Sequence, residues 1–211
     1  MTDPLPLEAF PQAVLDAADV SAITQLVLTE REGRDLGRWD RMGACFFPDS
    51  VVRITWFRGS GPDFVKGSIE MARRGVPAKH RLGPVGVRLN GDRAVASLTA
   101  IIDIPATLGG VEAQLSSHAR FLYPVERRHG RWGLMGFEAV YMRDEFSTAI
   151  PGQALPITPA DVARFRPSYR MLAYLLTTQG YDVDPDLPGD DRPELAEAVY
   201  QRIYGWAGLE V

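Results

Sequence analysis

Apolar residues first fall into a clear pattern in DAADVSAITQLVLTERE, residues 16 to 32, where Val20, Ile23, Val27 and Glu30 stand at helical spacing. Leu26 widens the stripe, and Gly33 and Gly37 punctuate its end, so the spacing predicts a first helix. RWDRMGACFF puts Trp39, Met42, Phe46 and Phe47 on one apolar face ahead of Pro48, which predicts a short second helix stopped by the proline. SVVRITWF is rich in β-branched and aromatic residues and reads as a strand with Val52, Ile54 and Trp56 on one face, after which GSGP forces a loop. Helical spacing returns between Pro62 and Arg74 through Phe64, Val65, Ile69 and Met71.

From residue 79 the pattern changes. KHRLGPVGVRL, RAVASLTAIIDI, VEAQLSSHARFLYPVE and RWGLMGFEAVYM are separated by turn signals at Asn90-Gly91, Gly109-Gly110 and His129-Gly130, which predicts four strands in an antiparallel meander. After Tyr141, the prolines at 151, 156, 159 and 167 break the chain into short helical pieces, of which SYRMLAYLL is the most regular. PELAEAVYQRIYGWA predicts a last helix, with Asp191 and Glu194 as a capping-box pair and Pro193 in its first turn.

These elements imply an α+β fold in which a curved antiparallel sheet wraps as a cone around the N-terminal helices. That domain is expected over residues 1–145, with a helical extension over 146–211 packed on it. A strongly bent sheet cannot fill the space against its helices with side chains, so the mouth of the cone is where a small-molecule ligand would sit.

Charge narrows the partners. The 211 residues carry 23 Lys+Arg against 27 Asp+Glu, a net charge of −4, which supplies no basic field for nucleic acid or an anionic membrane. No apolar run approaches the roughly 18 residues of a membrane span. The acidic, proline-containing start lacks the pattern of a signal peptide, so a cytoplasmic location is expected. One cysteine, Cys45 beside Phe46 and Phe47, allows no internal disulfide or thiolate cluster and reads as a small buried hydrophobe. DVDPDLPGDD imitates a calcium loop at Asp182, Asp184 and Asp186, but Leu187 stands at the glycine position and Pro193 at the glutamate position, so it reads as a solvated loop. No metal or cofactor is expected.

The three histidines can be weighed one by one. His129 lies among arginines beside a turn glycine and is read as a solvated turn residue. His80 opens a strand and His118 lies in the middle of another; facing one cavity, two imidazoles could divide proton acceptance and donation at neutral pH. Alternation puts Ser116, His118 and Arg120 on one face of their strand, opposite Leu115, Ser117, Ala119, Phe121 and Tyr123; the polar set either meets solvent or lines a polar cavity. An acid that fixes a histidine tautomer could come from Glu30, Glu32, Asp35 or Asp40, and Asp35, at the joint between the two helices, is the best placed.

The strings DLGRWDRM, FFPDSVVRITWFRG, AKHRLG, SSHAR and HGRWGLMGFEAVYMR, in that order, resemble the nuclear-transport-factor-two-like superfamily, and within it the scytalone dehydratase group and the SnoaL-like polyketide cyclases. The resemblance covers about residues 16 to 145. It implies Asp35, His80 and His118 as catalytic residues and places Trp56 where the dehydratases have a substrate-contacting tyrosine. Arg34 replaces a second tyrosine, which implies a different substrate; Arg34, Trp56 and Arg120 form the expected substrate-binding set. The implied activity is a cofactor-independent dehydratase-like lyase for a cyclic or polyketide-like hydroxy-carbonyl compound, with isomerisation or cyclisation as an alternative. A non-catalytic ligand-binding module is the rival reading. A homodimer or higher homo-oligomer is expected, and the extension is expected to restrict the mouth of the cone.

Overall fold

A computed structural model of the chain describes residues 11–75 and 78–211. The first ten residues, whose composition prompted the reading of location, lie outside the described residues. Among the described residues, no helix is long and apolar enough to cross a membrane.

The first helix, α1, spans Gln12–Leu36 and buries Ile23 and Val27 completely. Its stripe is then continued by charged residues, Glu30, Arg31 and Arg34, all buried. Gly37, at φ 68°, supplies the left-handed residue that ends the helix. The next helix, α2 (Trp39–Ala44), is shorter than its apolar face suggested, because Phe46 and Phe47 already belong to β1 (Phe46–Ile54). Pro48 sits where the register of β1 against its neighbour is irregular, an arrangement that spares a residue with no N–H from the ladder. Trp56 falls beyond β1, in the turn to β2 (Phe57–Ser60). The GSGP run is a helix start as well as a loop: the Ser60 hydroxyl accepts the Asp63 N–H and caps α3 (Gly61–Arg73). A side chain at Gly61 would collide with Ser50 and the ring of Phe46, so only glycine lets α3 approach β1 this closely.

The first expected strand of the meander is two, β3 (Lys79–Leu82) and β4 (Gly86–Asn90), both antiparallel to β5 (Arg93–Leu108). Two long strands follow, β6 (Val111–Arg128) and β7 (Arg131–Thr148). The sheet runs β2-β1-β7-β6-β5-β3, with β4 also on β5, and β1 lies parallel to β7. Register shifts in the β6–β7 ladder at His118/Ala119 and Leu122/Val125 bend the long strands around the helices. Because β7 continues to Thr148, the boundary expected after residue 145 falls inside a strand.

The extension divides its work between the two faces of the sheet. After α4 (Pro159–Val162) and a 3₁₀ turn at Pro167–Tyr169, α5 (Arg170–Thr178) buries Leu172, Leu175 and Leu176 in the main core on the concave side. The last helix, α6 (Pro193–Trp206), lies on the convex face, with Ala196, Val199 and Ile203 against Val95, Leu122 and Val140. It starts differently from the expected capping box. Arg192 is the N-cap residue, while Asp191 is engaged by Arg166 and Ser168 and Glu194 by Arg192. In the acidic loop before it, Asp184 ties back to β1 through Arg53 at 2.8 Å.

Candidate active site

The concave side encloses a narrow cavity of about 40 Å³. Its walls are largely aromatic and aliphatic, from Trp56, Phe64, Phe121, Phe137, Leu172 and Leu176. Into this surface project Arg31 and Arg34 from α1, His80 from β3, and Thr55 and Tyr141. The register explains the position of His80: it pairs with Ile102 of β5, another cavity-lining residue, so the ring points inward.

Asp35, in the last turn of α1, holds His80 with both carboxylate oxygens. The backbone N–H of His80 donates to Oδ2 at 2.7 Å, and ring Nδ1 lies 2.6 Å from Oδ1. Lys79 adds a bond from its ammonium to the Asp35 carbonyl. Burial works to raise the Asp35 pKa, but the hydrogen bonds from His80 and the charge of Arg31 outweigh it and hold the carboxyl below its ordinary value. Burial, joined by the charges of Arg31 and Arg34 and opposed by Asp35, pushes His80 below 6.5. At neutral pH the pair is therefore a carboxylate and a neutral imidazole. Arg31 Nη1 stands 3.4 Å from Nε2, and a guanidinium can only donate. The tautomer consistent with every neighbour thus carries its proton on Nδ1, toward Asp35, and leaves the Nε2 lone pair on the cavity side.

Arg31 is itself buried, 2% exposed, and its guanidinium forks onto the carboxylate of Glu30, which is 0% exposed. Burial disfavours its charge, but Glu30 more than compensates and the pKa is raised. The guanidinium carbon lies 4.7 Å from the centroid of Phe137 and 5.9 Å from those of Phe64 and Phe121. The Tyr123 hydroxyl reaches Glu30 at 3.4 Å, and burial pushes that phenol well above its usual value. Tyr141 is held by Thr55, its oxygen accepting the Thr55 N–H at 3.0 Å, and burial pushes its pKa up to about 12.

The structure brings together four of the six residues expected at the site: Asp35, His80, Arg34 and Trp56 lie in or directly behind the cavity wall. His118 and Arg120 are corrected. His118 pairs with Ile101 of β5, one residue along from the partner of His80, and a single step in register turns a side chain to the opposite face. It is half-buried on the convex side near Asp103, whose carboxylate accepts the Ser116 hydroxyl at 2.8 Å. Arg120 shares that face and bonds the Tyr200 hydroxyl at 2.9 Å and Asp190, so it anchors the extension. His129 occupies the β6–β7 turn at φ 52°.

Sequence reasoning did not select Arg31, nor the pairing of Arg31 with Glu30. The available signal was the helical line from Ile23 through Val27, which continues to Arg31 and Arg34: charges in line with a core stripe mark a buried polar site.

A family model described as "SnoaL-like domain" matches residues 16–135. Among curated proteins, the chain is 29% identical over 199 residues to pea pathogenicity protein 2 of Fusarium vanettenii, covering 89% of this chain and 85% of that one. It is 30% identical over 220 residues to a PEP2-like protein of the same fungus, covering 96% and 94%. Among solved structures it is similar in fold to LinA, with TM-score 0.54, 17% identity and coverage of 70% and 100%. A candidate scytalone dehydratase from Novosphingobium aromaticivorans gives TM-score 0.51 and 16% identity, covering 67% and 95%.

Proposed function

We propose, for a chain that belongs to the SnoaL-like domain family, that it is a lyase: it removes water from a compact cyclic or polyketide-like hydroxy-carbonyl compound using side chains alone. The observation that carries this reading is the Asp35–His80 pair, with Nδ1 bound to a carboxylate and Nε2 turned to an apolar cavity. Family members and neighbours named for dehydration and dehydrochlorination accord with it.

His80 Nε2 takes the proton from the carbon beside the substrate carbonyl, and the electrons of that C–H bond form the new double bond as the C–O bond to the hydroxyl breaks. Asp35 stabilises the imidazolium so formed and keeps the ring oriented. The proton then passes from Nε2 to the departing oxygen, which leaves as water, and His80 returns to its neutral form. With one imidazole in the cavity, removal and return use the same face of the substrate, which makes the elimination syn. Isomerisation would share the first step and return the proton to carbon.

The test is a panel of cyclic hydroxy-ketones and hydroxy-acids, with loss of water read by mass. On a substrate that turns over, His80→Ala and Asp35→Asn are each expected to lower kcat by at least about a hundredfold. The double variant should fall far short of the product of the two losses, because the pair acts as a unit. Turnover at the parent rate in both variants would leave the cavity as a binding site without this chemistry.

A further inference from the structure

The charges around the cavity do not all find partners. Arg31 is neutralised by Glu30 and Asp35 is engaged by His80. Arg34, only 6% exposed, makes no ion pair among the described residues; its one side-chain bond runs from Nη2 to the sulfur of Met71 at 3.3 Å. A thioether is a weak acceptor, and a guanidinium carries five donors. A buried cation left in this state is costly to the folded chain unless something else satisfies it. Burial, and then the neighbouring Arg31, push its pKa down to about 10, so it still carries its charge at neutral pH.

From this geometry we infer that Arg34 is the receptor for an anionic group on the substrate, a carboxylate, which fixes the molecule with its reacting carbon at His80. The inference rests on the reading of this cavity as the substrate site and narrows the substrate to a compact cyclic hydroxy-carbonyl compound that also bears a carboxylate. Three features agree. The planar guanidinium suits a planar carboxylate. Phe64, Phe121, Phe137 and Trp56 offer a ring-shaped apolar body its surroundings. The other cavity cation, Arg31, is already occupied by Glu30 and is not free to take the anion. A charge at Arg34 also discriminates, since a neutral analogue would leave the guanidinium unsatisfied.

The test uses benzoate and neutral benzamide as probes, read by calorimetry and by thermal shift on the full-length protein. Benzoate is expected to bind the parent roughly ten- to a hundredfold more tightly than benzamide. Arg34→Met should abolish that preference while still admitting benzamide, and Arg34→Lys should keep part of it. Without ligand, Arg34→Met should melt no lower than the parent, because it removes a buried charge that no carboxylate among the described residues pairs with directly. Equal binding of the two probes, a benzoate preference that survives Arg34→Met, or a marked loss of stability in ligand-free Arg34→Met would each overturn the inference. Because these readouts need no turnover, the two readings separate. His80-dependent elimination without a benzoate preference would remove only the carboxylate; a benzoate preference without His80-dependent chemistry would remove only the lyase.

Discussion

Glu30→Gln isolates the buried ion pair on which the site is built. The substitution keeps the size of the side chain and removes the charge that offsets Arg31. Both residues are essentially inaccessible, 0% and 2% exposed, so water cannot take over the role of the lost carboxylate. Leaving one member of a buried pair uncompensated costs about 3–5 kcal/mol. The aromatic rings around Arg31 remain, and attraction to a ring is worth about 0.5–2 kcal/mol, which places the expected loss near the lower end. At about 2–4 °C per kcal/mol for a chain of this length, the melting temperature should fall by roughly 6–12 °C. The companion variant Glu30→Gln/Arg31→Met removes both charges and should recover most of the loss, since a packed apolar pair is often as stable as a buried ionic one. Calorimetric melting at pH 7, backed by urea midpoints, measures both. A fall of less than about 2 °C in the single variant, or a double variant no more stable than the single, would refute the reasoning.

Three further outcomes follow from the structure. Cys45 is 3% exposed, and burial pushes its thiol up to about 12, so it should resist alkylation by iodoacetamide at pH 8 until the chain is unfolded; fast labelling of the native protein would contradict this. Asp144 accepts the Leu172 N–H at 2.7 Å at the start of α5, yet burial raises its pKa from 3.8 to about 6. Its folded value thus lies above its unfolded one, and its stabilising contribution is full below about pH 4 and lost as pH rises through about 6. Urea midpoints of Asp144→Asn relative to the parent should improve across that window, and a relative decline would reverse the sign. Deleting residues 193–211 uncovers Val95, Leu122 and Val140 on the convex face and should cause concentration-dependent aggregation by light scattering; a truncated chain that stays monodisperse would show that α6 is not needed to cover them.

Much of the fold was legible because it is written in local patterns. The stripe of Ile23 and Val27 locates α1, and the glycine-bearing turns at Asn90-Gly91, Gly109-Gly110 and His129-Gly130 delimit the long strands. The break at Phe46 was not legible, since an apolar run beside a helix reads the same whether it extends the helix or pairs with Leu134 across the sheet. Asp35 could be singled out because a short acid at a helix joint can turn toward a strand without leaving an apolar position. His118 failed for a reason outside its own strand. Alternation fixes which residues share a face but not which face is concave, and that choice is made by pairing with β5. The split of the extension, α5 inward and α6 outward, likewise depends on tertiary packing that no local spacing records.

The central claim is that His80 is a neutral base, oriented by Asp35, with its unprotonated Nε2 on the cavity side beside Arg31. Nitrobenzisoxazole tests it without knowledge of the natural substrate, because its ring opens when a base removes one proton from carbon and the product is coloured. The parent protein should open it faster than buffer, with a rate that rises with pH to a plateau and a midpoint below 6.5, as an imidazole with a lowered pKa requires. Asp35→Asn should slow the reaction and His80→Ala should bring it to the buffer rate. A parent rate equal to buffer, or a rate that persists unchanged in His80→Ala, would contradict the account.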